Sequence, residues 1–168
     1  KISINGYITT KISFANMISD TCDKLGANKT KVLQSIGSDS RIGNKYFNPG
    51  YSFGGPCFPR DTRALKLFIE QNNINTDLLT ATTIYNNEHV NIQAKQLYEL
   101  NKEKGTYLME NICYKENCKV PIIEESAKLK IAKKLVEMGL NVTIKDEKQL
   151  IHEVIKEYGN LFNYIITT

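Results

Sequence analysis

TYLMENIC (106–113), EESAKLKIAKKLVEM (124–138), NVTIKD (141–146), QLIHEVIKEY (149–158) and NYIITT (163–168) decide the fold. The first, third and fifth segments are short runs rich in β-branched and aromatic residues, which predicts strands. The second and fourth repeat their apolar residues at three- and four-residue steps, which predicts amphipathic helices. Strand, helix, strand, helix, strand is the opening of a parallel α/β sheet. Strands are expected near 106–113, 141–145 and 163–167, with the 124–138 helix stopped by Gly139. Three strands are few for such a sheet, so the sheet is expected to continue past Thr168.

Upstream of Gly105 the hydrophobic period is different. Residues 1–25 read as one helix, with Ile4, Ile8, Ile12, Ala15, Ile18, Cys22 and Leu25 as its apolar stripe and Gly26 as its C-terminal cap. A short helix is expected at 29–36, led by Asn28 and stopped by Gly37. Further helices are expected at 60–72 and 77–101, the latter with Thr76 as cap. The chain carries no initiator Met and opens inside a helix, so residues are expected before Lys1.

Composition narrows the function classes. The 168 residues carry a net charge of +4, with lysines scattered among acids, which does not make the dense basic stripe of a nucleic-acid binder. No run of eighteen apolar residues predicts a membrane span, and the first residues lack the regions of a signal peptide. The four cysteines, Cys22, Cys57, Cys113 and Cys118, fit neither a CxxC pair nor a zinc ribbon, and no metal site is expected. The expectation is a reduced, cytoplasmic protein. His89 and His152 have no neighbouring ligand set and read as surface or helix-packing residues.

Residues 38–58, SDSRIGNKYFNPGYSFGGPCF, break every period. They hold four glycines, two prolines and five aromatics. A long irregular segment inside a compact domain is usually functional, and aromatics mixed with glycine suggest a binding loop. At its end Cys57 follows two glycines and precedes a helix start, where the helix dipole favours a thiolate. Lys1 or Arg60 could add positive charge if close in space. Asp61, four residues on, is placed to cap the helix or act as a base. On these residues alone, an inert cysteine in a turn is the commoner outcome.

The block Asp39, Arg41, Ile42, Gly43, then Gly54, Gly55, Cys57, Phe58, Pro59, Arg60 and Asp61 resembles the active-site signature of the UDP-glucose/GDP-mannose dehydrogenase family. Lys1, Asn5, the run Lys11-Ile12-Ser13 and Asn16 resemble the family's preceding helix. Tyr114-Lys115 is similar to its Phe-Lys pair, and Glu125-Ser126 to its Arg-Glu-Ser triplet. Three positions depart from the family pattern: Glu124 stands for Arg, Met17 for Glu, and Asn111 lies near where Gly is usual.

The resemblance implies an all-helical dimerisation domain over residues 1–102, followed by a partial, Rossmann-like parallel-sheet domain over 103–168 that binds the UDP-sugar. It implies an NAD-binding domain elsewhere, since no GxGxxG fingerprint occurs in the chain. The family oxidises C6 of a sugar nucleotide to a carboxylate with two NAD, here UDP-glucose to UDP-glucuronate. By resemblance Cys57 is the nucleophile, Asp61 handles the hydrolytic water, and Lys1 and Asn5 stabilise oxyanions. Tyr46, Phe47, Asn48, Phe53 and Gly54 would cradle the substrate, with Tyr114 and Lys115 touching it. Arg41 would reach the substrate of the neighbouring subunit in a homodimer. Two other readings stand beside this one: a GDP-mannose or UDP-N-acetylmannosamine dehydrogenase, and a non-catalytic dimerisation and substrate-binding fragment.

Overall fold

The computed structural model describes residues 1–114 and 120–167. Lys115 and Cys118 lie outside the described residues. Six helices and three strands follow in the order α1 (Ile2–Leu25), α2 (Lys29–Gly37), α3 (Phe58–Gln71), α4 (Asp77–Asn101), β1 (Thr106–Glu110), α5 (Ala127–Glu137), β2 (Asn141–Glu147), α6 (Lys148–Tyr158) and β3 (Asn163–Thr167). They make two compact units. The first holds Lys1–Phe53 and Cys57–His89, and the second holds Gly54–Pro56 and Val90–Thr168. Helices followed by a three-stranded parallel sheet with interleaved helices is the architecture expected from the sequence.

The first unit is built on α1, but not on the stripe its isoleucines suggest. Ala15 and Cys22 are buried as expected, whereas Ile4 and Leu25 are 62% and 77% exposed. The buried face is instead Gly6, Thr9, Ser13, Ala15, Asn16, Ser19, Asp20 and Cys22. Small and hydroxyl side chains are inside because neighbouring helices come close. A Cβ on Gly6 would stand 2.6 Å from Leu65 Cδ2. At this range hydroxyls bond across the contact: Thr9 with Thr62 and Thr10 with Thr82, each at 3.1 Å, and Ser13 Oγ donates to the Thr82 carbonyl at 3.1 Å. The hydroxyls of Thr9, Thr10 and Ser13 thereby keep partners, without which burial would cost about 1–3 kcal/mol each.

The helix ends show which local rules operate. Asn28 caps α2 by accepting from Lys31 N–H at 3.0 Å. Helix α2 runs through Gly37 instead of stopping at it. Helix α3 starts at Phe58, two residues before the expected position, with Pro59 in its first turn, where a missing N–H costs nothing. At α4 the Thr76 hydroxyl donates to Glu70 at 2.9 Å, and Asn75 Oδ1 accepts Asp77 N–H at 2.7 Å, so the side chain that serves the helix start is Asn75.

In the second unit the three strands pair in parallel in the order β1-β2-β3, with Thr106 opposite Asn141 and Thr143 opposite Asn163. Val142, Ile144 and Asp146 alternate inward along β2. Leu129, Ile131 and Leu135 of α5, Ile151 and Val154 of α6, and Val90 and Ala94 of α4 complete the core. Strand β1 ends at Glu110, earlier than expected, because Asn111 takes φ 55°. Asn tolerates this left-handed conformation better than other side chains. Helix α5 begins at Ala127 and not at Glu124, since Glu125 has φ 54° and Ser126 is the cap.

Ile144 is fully buried at the centre of this core. Ile144→Ala is expected to lower the stability of the second unit by about 2–5 kcal/mol. Urea unfolding followed by far-ultraviolet circular dichroism checks this, and a loss under about 1 kcal/mol would contradict the packing described.

Candidate functional site

Helix α3 presents Cys57 at its N-cap, with φ −102° and ψ −57°. The side chain makes no capping hydrogen bond and is exposed. The first helical bond runs from Asp61 N–H to the Cys57 carbonyl at 2.8 Å. Thus the thiol stands at the positive end of a helix without being spent on the backbone. Cys22 is buried, and Cys113 is half-buried with its thiol 3.3 Å from the Ile122 carbonyl. Of the described cysteines, Cys57 alone is exposed.

One turn into α3, the buried Asp61 carboxylate collects three hydrogen bonds. Asn5 Nδ2 donates to Oδ2 at 2.6 Å, and Arg60 donates to Oδ1 from Nε at 3.1 Å and from Nη2 at 3.0 Å. The Asn5 bond, then the Arg60 bonds, hold its pKa below the ordinary carboxylate value, with the charges of Arg60 and Lys1 adding to them against burial. Lys1 and Asn5 are one helical turn apart, and Asn5 N–H donates to the Lys1 carbonyl at 3.1 Å. The fold therefore brings Lys1, Asn5 and Asp61 together at the starts of α1 and α3. Asp61 caps nothing with its side chain. Arg60 was expected only as a possible source of charge near Cys57, and its role here is to hold Asp61.

The loop between α2 and α3 distributes its expected ligand residues unevenly. Arg41 is 86% exposed and pairs with Asp39, Nη2 to Oδ2 at 2.6 Å. Tyr46 is half exposed at φ 61°, its ring edge-on to Phe58 at 6.1 Å, and Asn48 is exposed. Phe47 differs: at 3% exposure it packs with Ala15 and Leu33, under the Lys11 ammonium 5.7 Å from its ring centre. Phe53 is buried too, and its backbone N–H and C=O both bond to Asn86. Neither ring offers a face to a ligand, so any contact by Phe47 has to come from its backbone.

Gly54 and Gly55 lie in the second unit. A Cβ on Gly54 would sit 2.1 Å from the Glu125 carbonyl oxygen, and one on Gly55 2.2 Å from the Tyr114 ring. Gly55 N–H donates to the Glu124 carbonyl at 3.1 Å, with φ 77°. The two glycines are thus required by close approach of the β1–α5 connection. Tyr114, a candidate substrate contact, packs on Gly55. Of the departures from the family pattern, Glu124 contributes its carbonyl to this contact, and Met17 is exposed on α1.

Among the described residues no group of three His, Cys, Asp or Glu could hold a metal ion, and no helix is long and apolar enough to cross a membrane. Nor do they form the glycine-rich turn from a strand directly into a helix that seats a dinucleotide pyrophosphate. Asp146, at the end of β2, is engaged by the N–H groups of Ile112 and Glu147, at 2.7 and 2.8 Å.

The starts of α1 and α3 thus present an exposed thiol one turn from a carboxylate held ionised by Asn5 and Arg60. The chain belongs to the UDP-glucose/GDP-mannose dehydrogenase family, residues 1–88 matching the family's central domain. It is 31% identical over 170 residues to UDP-glucose 6-dehydrogenase TuaD of Bacillus subtilis, covering 96% of this chain and 36% of that protein. It is 32% identical over 145 residues to the UDP-glucose 6-dehydrogenase of Rickettsia bellii, covering 84% of this chain and 33% of that protein. The solved UDP-glucose dehydrogenase of Pyrobaculum islandicum superposes with a TM-score of 0.85 at 29% identity, over 99% of this chain and 38% of that one. A GDP-mannose dehydrogenase of Pseudomonas aeruginosa, solved as a ternary complex, gives 0.57 at 25% identity, over 93% of this chain and 36% of that one. The chain thus spans about a third of the length of the curated relatives it matches.

The low pKa of Asp61 has a definite sign for stability. Ionisation favours the fold above the unfolded value, about 3.9, and the gain is lost as pH falls through the lower folded value. Asn5→Ala, which removes the largest contribution, is expected to raise the Asp61 titration midpoint measured by carboxyl-carbon NMR. An unchanged midpoint would contradict the role of Asn5.

Proposed function

We propose that this chain is the central domain, with the start of the substrate-binding domain, of an NAD-dependent UDP-glucose 6-dehydrogenase. The observation that carries the reading is Cys57, exposed and uncapped at the start of α3, beside the carboxylate held by Asn5 and Arg60. UDP-glucose is preferred because relatives near 30% identity carry that name. Two NAD, bound in turn by the whole protein, would each take up one hydride per substrate; no described residue is assigned to them.

The chain's own residues do the rest. Once C6 is an aldehyde, Cys57 Sγ bonds to that carbon and the carbonyl π pair moves onto oxygen, giving a thiohemiacetal that is retained on the protein. The Lys1 ammonium and the Asn5 amide offer that oxygen positive charge and a donor. At the thioester stage, reached once the second hydride has left the same carbon, water adds there and the C–S bond breaks; one water proton passes to the Cys57 sulfur, regenerating the thiol, and the other is released to solvent as the carboxylate leaves. A carboxylate held at low pKa is a weak base but a good acceptor, so Asp61 orients this water more than it deprotonates it. Of the substrate contacts that the family resemblance implies in the first unit, Tyr46 and Asn48 have exposed side chains to offer and Phe47 only its backbone, while the Phe53 backbone is engaged by Asn86. Arg41 serves the site of a neighbouring subunit in a homodimer. Exposed Ile4, Tyr7, Phe14 and Met17 on α1 supply apolar area for such an interface.

In the whole protein, Cys57→Ala and Cys57→Ser are expected to abolish net oxidation to the acid, with UDP-glucose affinity within about threefold, since serine at its ordinary pKa is a poor nucleophile. Cys22→Ser and Cys113→Ser retain activity. The 168-residue chain alone reduces no NAD. Initial-rate assays with isothermal calorimetry check these outcomes, and full activity in Cys57→Ala would overturn the reading.

A further inference from the structure

Four consecutive loop residues in the first unit, Gly50 to Phe53, are each tied to buried polar side chains or backbone of α1 and α4. The Gly50 carbonyl accepts from His89 Nε2 at 2.9 Å, and the Tyr51 carbonyl from Asn16 Nδ2 at 3.2 Å. Ser52 Oγ donates to the Asn86 carbonyl at 2.5 Å. Phe53 exchanges two hydrogen bonds with the Asn86 carboxamide, N–H to Oδ1 at 2.8 Å and Nδ2 to C=O at 3.0 Å. In that last pair a side-chain amide replaces the backbone of a second strand.

Asn16, Asn86 and His89 are 1%, 5% and 2% exposed. His89 is itself fixed, its Nδ1 lying 2.7 Å from Asp20 Oδ2, to which the Tyr85 hydroxyl also donates at 2.7 Å. An oxygen at each ring nitrogen, the Gly50 carbonyl at Nε2 and Asp20 Oδ2 at Nδ1, fixes the orientation of the imidazole. Asn16 Oδ1 is buried with no hydrogen-bond partner among the described residues. Burying such groups is costly compared with packing the helices through apolar side chains. What the polar set adds is a single backbone path for residues 50–53, since directional bonds specify geometry where apolar contacts do not.

We propose that Asn16, Asn86 and His89 are positioning residues for the substrate-facing loop that carries Tyr46 and Asn48 and leads into Cys57. This rests on the reading of Cys57 as nucleophile. They act through the loop backbone and touch no substrate. Asp20 and Tyr85 act one step further back, by orienting the imidazole.

The test combines two readouts. In the 168-residue chain, Asn86→Ala is expected to speed amide exchange at Phe53 about tenfold, the loss of a net 1–1.5 kcal/mol hydrogen bond, while α2 amides keep their protection. In the whole protein the same variant lowers kcat with UDP-glucose about 100-fold, as expected for a displaced reacting group, with KM changed less than about threefold. Asn86→Asp, which keeps the acceptor for Phe53 N–H, falls between the two. If Asn86→Ala does not fold, Asn16→Ala, which removes one bond only, is expected to move both readouts in the same direction by less. A kcat within twofold of the parent, while Cys57→Ala is inactive, overturns the proposal alone. So does a lower kcat with unaltered Phe53 exchange, which shows that Asn86 does not act by holding the loop, and so does exchange that speeds equally at Phe53 and in α2, which marks general destabilisation. Full activity in Cys57→Ala overturns the reading of Cys57 instead, and the exchange readout still decides whether Asn86 holds the loop.

Discussion

The hydrogen bond from Asn5 to Asp61, 2.6 Å long, joins the start of α1 to the start of α3. Its effect is electrostatic as well as geometric. It is the largest contribution to the low pKa of Asp61, with Arg60 second. A carboxylate held ionised one turn into α3 sits where the helix dipole favours it, and it fixes the register of the helix that offers Cys57. The chemistry proposed for Cys57 therefore depends on a contact between residues 56 positions apart in the chain. Lys1 enters the same cluster by lying one helical turn before Asn5.

The two units meet their stability requirements differently. The second has an apolar core of alternating strand residues and helix stripes, where Leu129, Ile131, Leu135, Ile144, Ile151 and Val154 are all fully buried. The first has a small apolar cluster of Ala15, Leu33 and Phe47, and packs α1 through hydroxyls and amides. Directional contacts of that kind suit a unit whose loop backbone must follow one path. The exposed isoleucines and aromatics of α1 are the complement of this arrangement: burying the polar face leaves the apolar one outside.

Legibility from the sequence followed the strength of the local signal. The strands, the parallel order and helices α5 and α6 were readable because their apolar residues recur at the periods of strand and helix. Cys57 near a helix start was readable from Gly54 and Gly55 before it and the helical period after it. The buried face of α1 was not, since an apolar stripe implies burial only when the neighbouring helix stands at ordinary distance, and here Gly6, Thr9 and Ser13 admit a closer one. Phe47 is a substrate contact by resemblance to the family, and the local sequence carries no sign that its ring instead packs with Ala15 and Leu33. Glu125 read as helix because a positive φ leaves no mark on a glutamate. Asn86 and His89 had no sequence signature at all, because their partners are backbone atoms of a distant loop.

The most direct test of the central claim is to look for the covalent adduct where Asp61 can no longer orient water. The whole protein carrying Asp61→Asn, incubated with UDP-glucose and NAD, quenched in acid and digested, would be read by peptide mass spectrometry. The account predicts a thioester-linked sugar nucleotide on the peptide containing Cys57, sensitive to hydroxylamine. An adduct on Cys22 or Cys113, or continued formation of the acid with Cys57 unmodified at every time point, would contradict it.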